Sequence, residues 1–140
     1  GCHLPPNLLK LIYKIKGDDH MCLVTDAIRH GGMEDIESEE CENGNMPYII
    51  EDGVAKLADR SAFAGSIATT DVLVRTCVKK VGISLVSAVK MMTEVPARIM
   101  GLTTKGKLCK GFDADVVIFD KDINVFATIV GGKEYINKNA

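Results

Sequence analysis

The residues best suited to chemistry stand at Thr25-Asp26, directly after the apolar run Met21 to Val24 and shortly before Gly31-Gly32. An apolar run that stops at a polar pair and then loosens into glycine suits a buried parallel strand whose C-terminal end opens into a loop. In parallel α/β folds those loops carry the chemistry. A carboxylate there sits at the mouth of a pocket on a rigid support, where it can move a proton. From this stretch alone, the commoner reading is that Asp26 merely caps a turn or a following helix.

The elements that would position Asp26 are legible on either side. After Pro5-Pro6, Leu8, Leu9, Leu11, Ile12 and Ile15 fall at helical spacing with Lys10, Lys14 and Lys16 opposite, and Gly17 ends the pattern. A strand over 21–25 completes one αβ unit. Between Met33 and Asn45 six acidic residues crowd into positions 34–42, which reads as a solvated loop without the spacing of a calcium site. Tyr48-Ile49-Ile50 and Val54 to Leu57 flank Asp52-Gly53 and predict a hairpin. Ala62 to Ser66 is rich in small residues, suited to a backbone that approaches a ligand or to a tight packing turn.

Further helices are expected from Thr69-Thr70-Asp71 to about Lys80, from Ser84 through Met92, and over Pro96 to Met100, with Gly101 as the stop. Met91, Met92 and Met100 suit a core better than a metal box. From Lys105 the pattern turns to β: Gly106 to Leu108, Ala114 to Phe119, Val125 to Val130, a Gly131-Gly132 turn, then Lys133 to Ile136. A boundary near 103 follows, and the 38 residues 103–140 are too few for a core of their own.

Composition narrows the class. With 140 residues, 46% hydrophobic and 26% charged, the chain suits one ordinary α/β domain. A net charge of −2 points to neither nucleic acid nor membrane, and no apolar run reaches a membrane span. Five cysteines without regular spacing favour a reducing cytoplasm over a disulfide framework. The opening Gly1-Cys2-His3 has no initiating Met and reads as a point inside a longer chain. No zinc-finger, H-x-H, H-E-x-x-H, G-x-S-x-G or phosphate-loop motif occurs. Of the scattered histidines, His20 is expected at the surface, and His30 in solvent rather than in the Asp26 pocket.

Taken together, Gly1-Cys2-His3, Leu23-Val24-Thr25-Asp26-Ala27, Glu51-Asp52-Gly53-Val54-Ala55, Ala64-Gly65-Ser66, Val95 to Leu102, and Lys105-Gly106 with Gly111 to Ile118 resemble the C-terminal part of the N-acetylglucosamine-6-phosphate deacetylases of the amidohydrolase superfamily. The Val95 and Gly111 motifs speak for the superfamily alone. The Thr-Asp-Ala strand end with the hairpin and Ala-Gly-Ser favours the deacetylases.

That resemblance implies the C-terminal portion of a (β/α)8 barrel plus the C-terminal strands of a small β-sandwich. Residues 1–102 would be the last two βα units with a hairpin insertion near 47–58, and 103–140 the sandwich share. The implied reaction hydrolyses the acetamide of a sugar phosphate to glucosamine 6-phosphate and acetate, with a divalent metal, zinc or iron, as cofactor. It implies Asp26 as the catalytic proton carrier, His3 near the amide oxygen, and Phe63, Ala64 and Gly65 as substrate-binding residues. It also implies that the metal ligands, a Glu and two His, and the Arg that holds the phosphate lie upstream of Gly1, so that this chain alone has no metal and no turnover. A homo-oligomer is expected. Another amidohydrolase, dihydroorotase- or deaminase-like, and a non-catalytic assembly module remain the alternatives.

Overall fold

The computed structural model describes residues 3–33, 40–43 and 46–136. Helix α1, Pro6–Lys16, starts from extended Pro5 and ends where Gly17, at φ 69°, returns its N–H to the Tyr13 carbonyl at 2.8 Å. A single 3-10 turn, Asp18–His20, leads into residues 21–26. Three antiparallel strands follow: β1 (Glu40–Asn43), β2 (Met46–Glu51) and β3 (Val54–Leu57), in spatial order β1-β2-β3. Helix α2 (Thr70–Arg75) runs on as a π-helical turn over Thr76–Val81, then come α3 (Leu85–Met92) and α4 (Glu94–Ile99). Strands β4 (Val116–Phe119), β5 (Val125–Val130) and β6 (Lys133–Ile136) close the chain as a second antiparallel sheet, in sequential order.

The turn chemistry works as the sequence requires. Asp52 and Gly53 both take positive φ, 54° and 71°, which is the backbone a two-residue hairpin needs to match strand twist. Ser84 caps α3 by accepting the Ser87 N–H at 3.1 Å. No described helix is long and apolar enough to cross a membrane.

Three expectations need correction. Residues 21–26 are extended but form no ladder among the described residues; their first lateral partner is a parallel bridge from Ala27 to Ser66. A strand is defined by its neighbours, and sequence pattern cannot supply them. Gly106 to Leu108 is irregular rather than β, because the chain there passes so close to α4 that a Cβ on Gly106 would lie 2.8 Å from the Glu94 Cα. Within the acidic stretch read as a loop, residues 40–43 pair with β2; positions 34–39 and 44–45 lie outside the described residues.

Two buried clusters flank the 21–30 segment. The larger joins Val74, Cys77, Val81, Ile83, Ala88, Met91 and Ile123, with Leu9, Tyr13, Met21 and Leu23 packed on it. The smaller holds Tyr48, Ile50 and Ala55, with Ile28, Ala64 and Ile67. Lys90 on α3 pairs with Asp18 at 3.2 Å and Asp19 at 2.9 Å, fixing the turn that launches the segment. A hydrogen bond with Ser87 and then one from Lys90 hold the Asp18 carboxyl below its ordinary range; Lys90 does the same for Asp19. Depressed carboxyls of this kind stabilise the fold at neutral pH, and their contribution fades as pH falls through the lowered value.

Met91 is the keystone of the larger cluster: fully buried, it also accepts the Leu23 N–H at its carbonyl, 3.0 Å. Met91→Ala should therefore lower unfolding free energy by roughly 2–5 kcal/mol. Urea denaturation of the two proteins, compared at constant m-value, reads this directly.

Candidate functional site

The segment ends at a left-handed corner. Asp26 has φ 51°, a region that few residues other than glycine adopt and in which Asp is among the better tolerated. Backbone held this way persists only where the surroundings fix it. Here Ser66 N–H donates to the Asp26 carbonyl and Ile28 N–H to the Ser66 carbonyl, both at 2.8 Å, and Gly32 N–H donates to Ile67 O at 2.9 Å. The strip 62–66 is held in turn by β3, through Leu57 N–H to Ala62 O at 2.9 Å and Ala64 N–H to Ala55 O at 3.0 Å. The hairpin thus supports the strip, and the strip supports Asp26.

Gly65 permits the junction. Its φ is 74°, and a Cβ there would meet Ile28 Cγ2 at 2.8 Å and the Asp26 carbonyl oxygen at 3.0 Å. The small residues over 62–66 suit either a backbone that approaches a ligand or a tight packing turn; at Gly65 the close approach is to the backbone of Asp26 itself.

A pocket of about 280 Å³ opens at this junction, lined by Asp26, Ala27, Ile28, Tyr48, Phe63, Ala64 and Gly65. Its size is near the lower end for small-molecule sites. His3 stacks on Phe63, ring centroids 4.4 Å apart and planes 22° apart, so the N-terminal segment reaches the same rim. All five residues singled out from sequence, His3, Asp26, Phe63, Ala64 and Gly65, therefore gather in one place.

The carboxylate of Asp26 stands apart electrostatically. Every other described aspartate is engaged: Asp18 and Asp19 with Lys90, Asp52 with Lys56, Asp59 with Ser61, Asp71 with Arg75, Asp113 and Asp115 with Lys105, Asp120 with Asn124, Asp122 with Lys79. Among the described residues no side chain or N–H engages the Asp26 carboxylate, and the residue is exposed. Cations on the neighbouring hairpin are consumed locally: Glu51 accepts from Lys56 at 2.9 Å and from Arg60 at 3.0 Å, which hold its carboxyl below the usual range, Arg60 foremost.

Two residues escaped the sequence reading. Tyr48 appeared only as part of a strand, yet it is buried to 1% exposure and forms the pocket's inner wall. His30, expected in solvent, is buried at 9% exposure because its Nδ1 shares a short hydrogen bond with the Tyr48 hydroxyl. A phenol at a core-facing strand position needs a polar partner, and that requirement was the available signal. His20 is exposed, as expected.

The amidohydrolase family pattern matches residues 1–135. The N-acetylglucosamine-6-phosphate deacetylase of Lysinibacillus sphaericus is 35% identical over 137 residues, covering 98% of this chain and 34% of its own. The crystal structure of the Pasteurella multocida N-acetylglucosamine-6-phosphate deacetylase superposes with a TM-score of 0.87 at 29% identity, covering 96% of this chain and 35% of its own. An aspartate-to-alanine variant of the Mycobacterium smegmatis enzyme, in complex with N-acetyl-D-glucosamine-6-phosphate, matches with the same TM-score and identity, over 96% of this chain and 35% of its own. The chain thus spans about a third of the length of these relatives. A family pattern that runs through nearly every residue, on a fold shared at this level, makes the chain a member of the amidohydrolase family.

Proposed function

We propose that this chain supplies the proton-carrying end of an N-acetylglucosamine-6-phosphate deacetylase. The observation that carries the reading is the convergence on one pocket of Asp26, whose carboxylate has no partner among the described residues, with Phe63, Ala64 and Gly65, and with His3 stacked on Phe63 at the rim. The shared name of the relatives supplies the substrate class. That the Mycobacterium smegmatis variant holding the sugar phosphate lacks an aspartate suits a reaction that depends on one.

In this reading Asp26 removes a proton from water as its oxygen attacks the acetamide carbonyl carbon. Asp26 then gives that proton to nitrogen as the C–N bond breaks, so acetate and the free amine leave and the carboxylate is restored. His3 sits near the amide oxygen, and the Phe63 ring with the Ala64–Gly65 backbone forms the wall against the sugar. Residues 1–102 act as the last two βα units of a barrel with the hairpin near 47–58 inserted, and 103–140 as the C-terminal share of a small β-sandwich. The enzyme works in the cytoplasm as a homo-oligomer.

The family brings with it the expectation of a divalent metal, zinc or iron. Among the described residues no group of three or more His, Cys, Asp or Glu side chains could hold one. Asp26 and His3 do not make a metal site by themselves, so the remaining donors would come from outside the described residues.

Three outcomes are expected. In the full-length gene product, Asp26→Asn should lower kcat for acetate release from N-acetylglucosamine 6-phosphate by about 10²–10⁴-fold while leaving thermal unfolding unchanged; near-native turnover sinks the role given to Asp26. Calorimetric titration of residues 1–140 with zinc should reveal no tight stoichiometric site and no acetate release, and robust activity of this chain would overturn the location of the ligands. Gel filtration of residues 1–140 should give species larger than a monomer, since Ile15, Val24, Val86, Met100 and Leu108 each expose more than 70% of their surface; a clean monomer at high concentration counts against it.

A further inference from the structure

The buried pair His30–Tyr48 lies four residues beyond Asp26 and behind the pocket, and the reaction as written does not use it. On one side the loop that starts at Asp26 is stitched by backbone bonds to Ser66 and Ile67. Its own turn is closed by Gly31 N–H to Ile28 O at 2.9 Å and Met33 N–H to His30 O at 3.1 Å. At the end of that turn His30 dives into the core and meets Tyr48 on β2, the central strand of its sheet. The two rings are tilted at 58°, with centroids 5.7 Å apart. Tyr48 contributes its ring to the pocket wall and its hydroxyl to the histidine. Asp26 is thus fixed from two directions: by backbone bonds to the 66–67 strip, and by a side-chain tether to the sheet beneath.

The geometry points to His30 and Tyr48 as a positioning pair, which sets the left-handed corner at Asp26 and so the reach of its carboxylate into the pocket. Backbone bonds to Ser66, Ile67 and Met91 hold the segment along its length but leave its side facing the sheet to hinge; the His30 side chain on Tyr48 adds an anchor on β2 that limits that freedom. Small displacements of a proton carrier weigh on the chemical step more than on substrate affinity. This inference rests on the deacetylase reading for its kinetic consequence, but not for its effect on the loop.

The test uses Tyr48→Phe, which removes one oxygen and keeps the ring, His30→Leu, His30→Asn, which restores a hydrogen-bonding group at the δ position, and the Tyr48→Phe/His30→Leu double variant. In the full-length gene product, Tyr48→Phe and His30→Leu should each lower kcat about tenfold with KM within about twofold. The double variant should be no worse than His30→Leu alone, and His30→Asn should recover most of the loss. In residues 1–140, amide exchange at Ile28 and Ser66 should quicken in Tyr48→Phe while α3 amides keep their rates. Wild-type kcat and exchange in Tyr48→Phe, additive losses in the double variant, or faster exchange throughout the chain would each overturn the pairing. If the unmodified full-length protein releases no acetate, the deacetylase reading fails and the exchange rates alone decide the positioning role.

Discussion

Two backbone hydrogen bonds hold the candidate site together, Ser66 N–H to Asp26 O and Ile28 N–H to Ser66 O. They join segments that are forty residues apart in sequence, and each end depends on something else. On one side Asp26 occupies a backbone region that few side chains tolerate. On the other, the strip carrying Ser66 is registered by its own bonds to β3. Gly65 between them admits no side chain. The consequence is a carboxylate on a support whose backbone cannot drift without breaking bonds to a sheet.

The packing explains why this support is stiff where it matters. Met21 and Leu23 pack on the larger core, with Leu23 bonded to Met91, and Ile28 packs on the smaller one, which His30 joins through its bond to Tyr48. Asp26 falls between the two anchorages, where the chain leaves one hydrophobic cluster and enters the other. Leu23 and Ile28 are each partly buried, so the two together contribute on the order of one fully buried apolar side chain, about 1.5–3 kcal/mol. That is comparable to the usual cost of a residue held in a sparsely populated backbone region, about 1–3 kcal/mol, so the corner can persist.

Much of this was legible in the sequence for local reasons. Helix ends announced themselves through Pro5-Pro6, Gly17 and Ser84, and the hairpin through Asp52-Gly53, because caps and turns are chosen by their own residues. The corner at Asp26 was legible because a polar pair ended an apolar run. The pairing of 21–26 was not legible, since a ladder is a property of neighbours and the partner here, Ser66, is distant. His30 was misjudged for the same reason. A histidine beside two glycines looks solvated until the strand bearing Tyr48 is folded against it.

The contrast among aspartates argues for what kind of group Asp26 is. Asp18, Asp19, Asp59, Asp115 and Asp120 all accept hydrogen bonds that hold their carboxyls below the ordinary range, so each is committed to one charge state and one structural task. A residue that takes a proton and gives it back cannot be committed in that way. Each strong partner that stabilised the anion would have to be weakened when the proton arrived, and would raise the barrier to accepting it. If Asp26 carries the proton as proposed, the fold meets this conflict by dividing the work. Position is imposed on Asp26 through its main chain and the residues beyond it, while among the described residues its carboxylate is left without a partner. An aspartate retained only to cap a turn would be expected to spend its oxygens on nearby N–H groups, as Asp59 and Asp120 do with Ser61, Asp122 and Asn124.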